Sequence, residues 1–151
     1  MTRLWAWAVE QYERPGAAEA CLELQDAHGV SVPLILWALW SEAEGRTPDL
    51  EAGARAARSW EDEAVGPLRR LRRALKALEA DADREAVRDQ VKAVELDAER
   101  RLLNALERLP ALPGPTPAAP ALLAATAAAF GSPAQPESFE RLLRALNPGP
   151  A

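Results

Sequence analysis

Residues 67–109 read PLRRLRRALKALEADADREAVRDQVKAVELDAERRLLNALERL. After Pro67 the leucines fall at 68, 71, 75 and 78. Beyond the turn at Asp81 to Asp83, a second apolar row falls at Val87, Val91, Val94, Ala98, Leu102, Leu106 and Leu109. Steps of three and four place each row on one helical face. Two such rows joined by a short polar turn predict a long antiparallel helix hairpin.

Upstream, Leu4, Trp5, Ala8, Val9 and Tyr12 repeat the spacing and predict a first helix ending near Arg14. Pro15 suits the first turn of a second helix, which Gly29 can close in the left-handed conformation. Ser31 is an N-cap candidate, and Pro33 is tolerated in the first turn of a third helix carrying Leu34 to Trp40 and stopping around Gly45. That helix is apolar nearly all round and is expected at the centre. Thr47-Pro48-Asp49 opens a fourth helix through Trp60 to about Val65, after which Gly66-Pro67 is expected to break and restart the chain. No segment alternates as a half-buried strand would, so the expected fold is all-α, a compact multi-helix bundle.

Downstream of Leu109, closely spaced prolines from Pro110 to Pro120 cannot continue a helix. The expected organisation is a helical core domain over 1–109, a Pro-rich linker over 110–120 and a C-terminal helical tail over 121–151. The tail carries two helices, one alanine-rich from about Ala121 to Phe130 and one amphipathic from Pro136 to Leu146.

The 151 residues, 48% hydrophobic and 27% charged, are enough for one core and argue against wholesale disorder. A net charge of −5 disfavours a surface that coats nucleic acid or membrane. The apolar run from Val30 to Trp40 contains Pro33 and is about half the ~20 residues a membrane-spanning helix needs, so no membrane insertion is expected. One cysteine cannot form an internal disulfide, and the apolar stretch from Leu4 to Val9 meets Glu10 too soon for a signal peptide, which together point to the cytoplasm.

Three blocks in order, LWAWAVEQYERPGAAEACLELQDAHGVSVPLILWALW, PLRRLRRALK and VKAVELDAERRLL, resemble the bacterial family catalogued as domain of unknown function 2390, over roughly residues 3 to 109. The resemblance implies a small, mostly helical cytoplasmic protein of bacteria. It brings no catalytic residue, cofactor or partner with it.

Cys21 and His28 are the only thiol and the only imidazole, but seven residues on one helix separate them by about 10.5 Å along the axis, too far for a catalytic pair or direct shared ligation. No second cysteine or histidine exists to complete a zinc site, so neither a metal site nor another cofactor is expected. Glu95 and Glu99 sit one turn apart beside the apolar row. In the hairpin register Glu95 falls opposite Leu68 and Arg69, so Arg69 or Arg72 is expected to neutralise it. The densest charge run, Arg69, Arg70, Arg72, Arg73 and Lys76, either grips an acidic or phosphate-bearing partner or is a salt-bridged solvated face. Five tryptophans are many for this length. Trp37 and Trp60 are read as core, and Trp5, Trp7 and Trp40 as a candidate interaction surface, since residues two apart diverge by about 200°. No phosphate-cradling glycine loop and no Gly-x-Ser-x-Gly elbow occurs, so no catalytic residues are assigned.

The leading expectation is therefore a non-enzymatic module that binds another protein or itself. The alternative is a carrier or enzyme for an anionic or amphipathic small molecule, held by Arg69, Arg72, Arg73 and Lys76 with Glu95 or Glu99 as base; it requires a concave pocket where those groups converge. A nucleic-acid role through the same arginines ranks third, because no aromatics interleave with them.

Overall fold

A computed structural model describes residues 3–76, 79–132 and 136–146. It is all-α, with no strand among the described residues and a single isolated antiparallel bridge between Thr47 and Leu112. The helices are α1 (Arg3–Tyr12), α2 (Ala17–His28), α3 (Val32–Ala43), α4 (Leu50–Trp60), α5 (Gly66–Ala74), α6 (Ala82–Glu107), α7 (Ala119–Phe130) and α8 (Pro136–Leu146).

α3 is the axis. The Ser31 hydroxyl accepts from the Leu34 amide at 3.4 Å, Pro33 sits in the first turn, and every residue from Pro33 to Ser41 is buried. One side of α3 offers Leu34, Leu36, Trp37 and Trp40 to Leu4 and Ala8 of α1, Ala54 and Ala57 of α4, and Leu102, Leu103 and Leu106 of α6. The other side offers Ile35 and Leu39 to Cys21 and Leu24 of α2, Leu123 and Ala127 of α7, and Phe139 and Leu142 of α8. α4 crosses α3 at Gly53, where a Cβ would lie 2.3 Å from Cζ3 of Trp37. The α7 carbonyl end is held by Arg58, which donates to the Ala129 and Phe130 carbonyls, both at 3.2 Å. The proline-rich segment is tied down as well: the Leu112 amide donates to the Thr47 carbonyl at 2.8 Å, and the Thr47 hydroxyl to the Gly114 carbonyl at 2.8 Å.

Several local expectations need correction. Pro15 lies outside α2, because Gly16 takes a φ of 83° and the helix begins only at Ala17. The cap of α4 is Asp49, whose carboxylate accepts from the Ala52 amide at 3.1 Å; Thr47 serves the bridge instead. Gly66-Pro67 does not break the chain. Pro67 has no N–H and its ring crowds the carbonyl four residues back, and the helix absorbs this by widening into a π-helical turn over Glu61–Val65, in which the Gly66 amide donates to the Glu61 carbonyl. Only glycine fits there, since a Cβ on Gly66 would stand 2.6 Å from that oxygen.

The hairpin of α5 and α6 forms, but its seam is dry only at the base. Val91, Ala98, Leu102 and Leu106 are buried, whereas Leu71, Val87 and Val94 are about half exposed. All buried residues of α6 lie at 91 or beyond, so its first turns extend past the bundle. Leu78, assigned to the seam, lies outside the described residues. Trp60 is only partly buried, at the edge of the core rather than within it.

Candidate functional site

The inward row of α1 is Leu4, Ala8 and Gln11, all buried. Trp5, Val9 and Tyr12, on the adjoining face, therefore stand beside the core and face a cleft of about 530 Å³. Cys21, Leu22 and Gln25 of α2 form one wall; Lys92, Leu96, Glu99 and Leu103 of α6 form the opposite one; Pro33 and Leu36 of α3 lie beneath. The rim is apolar and open, with Val9 39%, Tyr12 42%, Leu22 47% and Leu96 54% exposed.

The polar end of the cleft comes from α5 and α6. Arg72 donates from Nε to Glu95 Oε2 at 2.6 Å and from Nη2 to Oε1 at 3.4 Å, a two-point pairing that fixes both side chains. Arg69 lies deeper. Its Nη1 donates to Glu61 on the π turn at 2.9 Å, its Nε is 3.5 Å from Glu95 Oε1 and its Nη2 is 3.9 Å from Glu99 Oε1. That Nε is fully buried and makes no hydrogen bond among the described residues. Two guanidinium groups thus share three carboxylates. Burial, together with the negative charge of Glu95, pushes the Glu99 carboxyl from its ordinary 4.5 up to about 7, against the smaller pull of Arg69.

Arg69, Arg72, Glu95 and Glu99 are brought together at this end, and the pairing of Glu95 with both arginines follows the hairpin register. Arg73 and Lys76 are not part of the cluster: Arg73 reaches across to Asp26 of α2 at 2.5 Å, and exposed Lys76 borders a separate shallow hollow with Glu79 and Asp81. Among the tryptophans, Trp5 walls the cleft with the Arg100 guanidinium 5.5 Å from its ring centre. Trp7 is half-buried between the two core clusters. Trp40 is 2% exposed in the core and presents no surface. Cys21 is buried, with its thiol pushed up to about 12 by desolvation, so it stays protonated and unreactive at neutral pH. His28 ends α2 with Nε2 3.2 Å from the Ser138 hydroxyl of α8.

Sequence reasoning missed Tyr12, Leu22, Lys92 and Leu96. One signal was present: Leu96 and Leu103, seven residues apart, form a second apolar stripe on α6, turned well away from the Val91 and Ala98 row. Among the described residues, no group of three or more histidine, cysteine, aspartate or glutamate side chains is placed to hold a metal ion, and no helix is long and apolar enough to cross a membrane.

No curated protein and no solved structure matches the chain. Residues 3–106, a span that includes every residue lining the cleft, match the family described as "Protein of unknown function (DUF2390)", and the chain belongs to that family.

Proposed function

We propose that this is a binding protein that takes a small amphipathic molecule into the cleft between α1, α2 and α6 without reacting with it. The observation that carries this reading is the form of the cleft. Its volume of about 530 Å³ falls within the roughly 300–1,000 Å³ of small-ligand sites, and its apolar walls converge on a few oriented polar groups at one end. The Arg72–Glu95 pair holds those groups in place. The cleft residues all belong to the 1–109 core unit, with the tail packed behind it as a buttress. A buried lone cysteine and the family resemblance favour a bacterial, cytoplasmic setting, which cell fractionation tests directly.

The experiment is a titration of the full chain with a neutral amphiphile such as n-octanol, followed by amide chemical shifts. Saturable 1:1 shifts centred on Val9, Tyr12, Leu22 and Leu96, suppressed in Leu96→Trp, support the reading. Shifts that never saturate, or that fall elsewhere on the surface, reject it. A second reading, docking of a partner protein, is favoured by the open apolar rim, since four large side chains surrounding a groove suit the side chains of a binding helix. A partner whose binding survives Leu96→Trp and Leu22→Ser would remove the cleft from that role.

A further inference from the structure

The geometry points to an organic cation, an alkyl or aryl ammonium, as the ligand of this cleft, with its N–H groups on the Glu99 carboxylate and its apolar body along Trp5, Val9 and Leu96. The inference rests on the cleft being a small-molecule site and adds the chemistry of the head group.

The first reason is that Glu99 has only a long ion pair and no hydrogen-bond donor. Arg72 directs Nε and Nη2 to Glu95, and Arg69 directs Nη1 to Glu61. The approach of Arg69 Nη2 to Glu99, at 3.9 Å, is beyond hydrogen-bond length. Glu99 therefore accepts no hydrogen bond from any described residue, yet it lines the cleft. The second reason is the field. Three carboxylates, Glu61, Glu95 and Glu99, outnumber the two guanidinium groups between them, and Glu13 adds a carboxylate to the lining. The Tyr12 phenol at the mouth is raised first by burial and then by Cys21, Glu99, Glu19 and Asp26. Every charged neighbour that acts on it is therefore an anion or a potential one.

Among the residues lining the cleft, Glu13, Glu95 and Glu99 outnumber Arg72 and Lys92, so an anionic head group meets a net negative field. The cleft-facing arginine is already paired, and Lys92 stands two turns from Glu99, about 10.5 Å along α6.

Seating an ammonium on Glu99 requires the carboxylate form, so binding is coupled to its proton. The charged groups that act on Glu99 are Glu61 from the π turn, Arg69 and Arg72 from α5 and Glu95 from its own helix, and Glu99 in turn acts on Tyr12 of α1; the same cleft is lined by Glu13 from the turn after α1, Cys21 from α2 and Lys92 from α6, while α3 contributes only apolar side chains. With a carboxyl titrating near 7, the competent fraction falls roughly thirtyfold from pH 8 to pH 5.5.

The test is calorimetric titration of the full chain with n-octylammonium, n-octanol and n-octanoate at pH 8 and pH 5.5, using wild type, Glu99→Gln and Leu96→Trp. The expected result is octylammonium at least about tenfold tighter than octanol at pH 8 and losing most of that advantage at pH 5.5. Glu99→Gln should abolish both the preference and its pH dependence, and near-UV circular dichroism checks its fold. Leu96→Trp should weaken all three ligands. Equal binding of octanol and octylammonium, tighter binding of octanoate, or a pH dependence that survives in Glu99→Gln overturns the cation and leaves the cleft reading standing. Failure of all three ligands to bind overturns both.

Discussion

Replacing Glu99 by glutamine should make the protein more stable at pH 8 relative to wild type than it does at pH 4.5. The carboxyl lies between the Arg69 cluster and the cleft and titrates near 7 when folded, against an ordinary value of 4.5. A group whose folded value is raised contributes stability that is fully present below the unfolded value and is lost as pH rises through the folded one. For Glu99 that window runs from about pH 4.5 to about pH 7. Each pH unit of the difference is worth 1.36 kcal/mol, which sets a ceiling of about 3 kcal/mol. The side chain remains 26% exposed, and solvent screening reduces the expected effect to about 2 kcal/mol. Urea unfolding followed by tryptophan fluorescence, at half-unit steps from pH 4.5 to pH 8, measures it. Other carboxylates titrate in both proteins, so the quantity to read is the difference between the two curves. If wild type and Glu99→Gln run parallel across the range, the carboxyl is not raised. If the variant loses ground as pH rises, Glu99 is an ordinary ion-pair partner of Arg69 and has no capacity to spare for a ligand cation.

Glu95→Gln removes the carboxylate shared by Arg72 at 2.6 Å and Arg69 at 3.5 Å, leaving two partly buried guanidinium groups under-compensated; a loss of about 3 kcal/mol in urea unfolding is expected, and a loss below about 1 kcal/mol would show the pair to be solvated. Gly53→Ala drives a methyl to 2.3 Å from the Trp37 ring; overpacking of about 1–3 kcal/mol should outweigh the helix-propensity gain of about 1 kcal/mol, so calorimetry should show a lower Tm, and an unchanged or higher one contradicts the close contact. Cys21, buried with its thiol pushed up to about 12, should resist a disulfide reagent at pH 8 in the native protein and react fully in urea; rapid native reaction would place it at an open surface.

The elements most legible in the sequence are those whose signals are local. Ser31 and Pro33 fix the start of α3, its all-round apolarity fixes its central place, and Phe139, Leu142 and Leu143 fix the inward face of α8. The pairing of Glu95 with Arg69 and Arg72 was legible because a hairpin register converts sequence distance into opposition. The cleft was not, because it depends on how α1, α2 and α6 are arranged over α3, a long-range arrangement that no local signal encodes. The half exposure of Leu71, Val87 and Val94 was hidden for a related reason: periodicity shows which face is apolar, not whether another helix covers it. The position that joins fold and site is Glu95. It is 7% exposed and falls on the α6 row between Val91 and Ala98, where a leucine would extend the seam. Buried ion networks often stabilise no better than apolar packing of equal volume, so a seam serving cohesion alone has little use for a carboxylate at that position. With glutamate there, two guanidinium groups are drawn under the cleft and compete for three carboxylates, and Glu99 is the one left facing the open space.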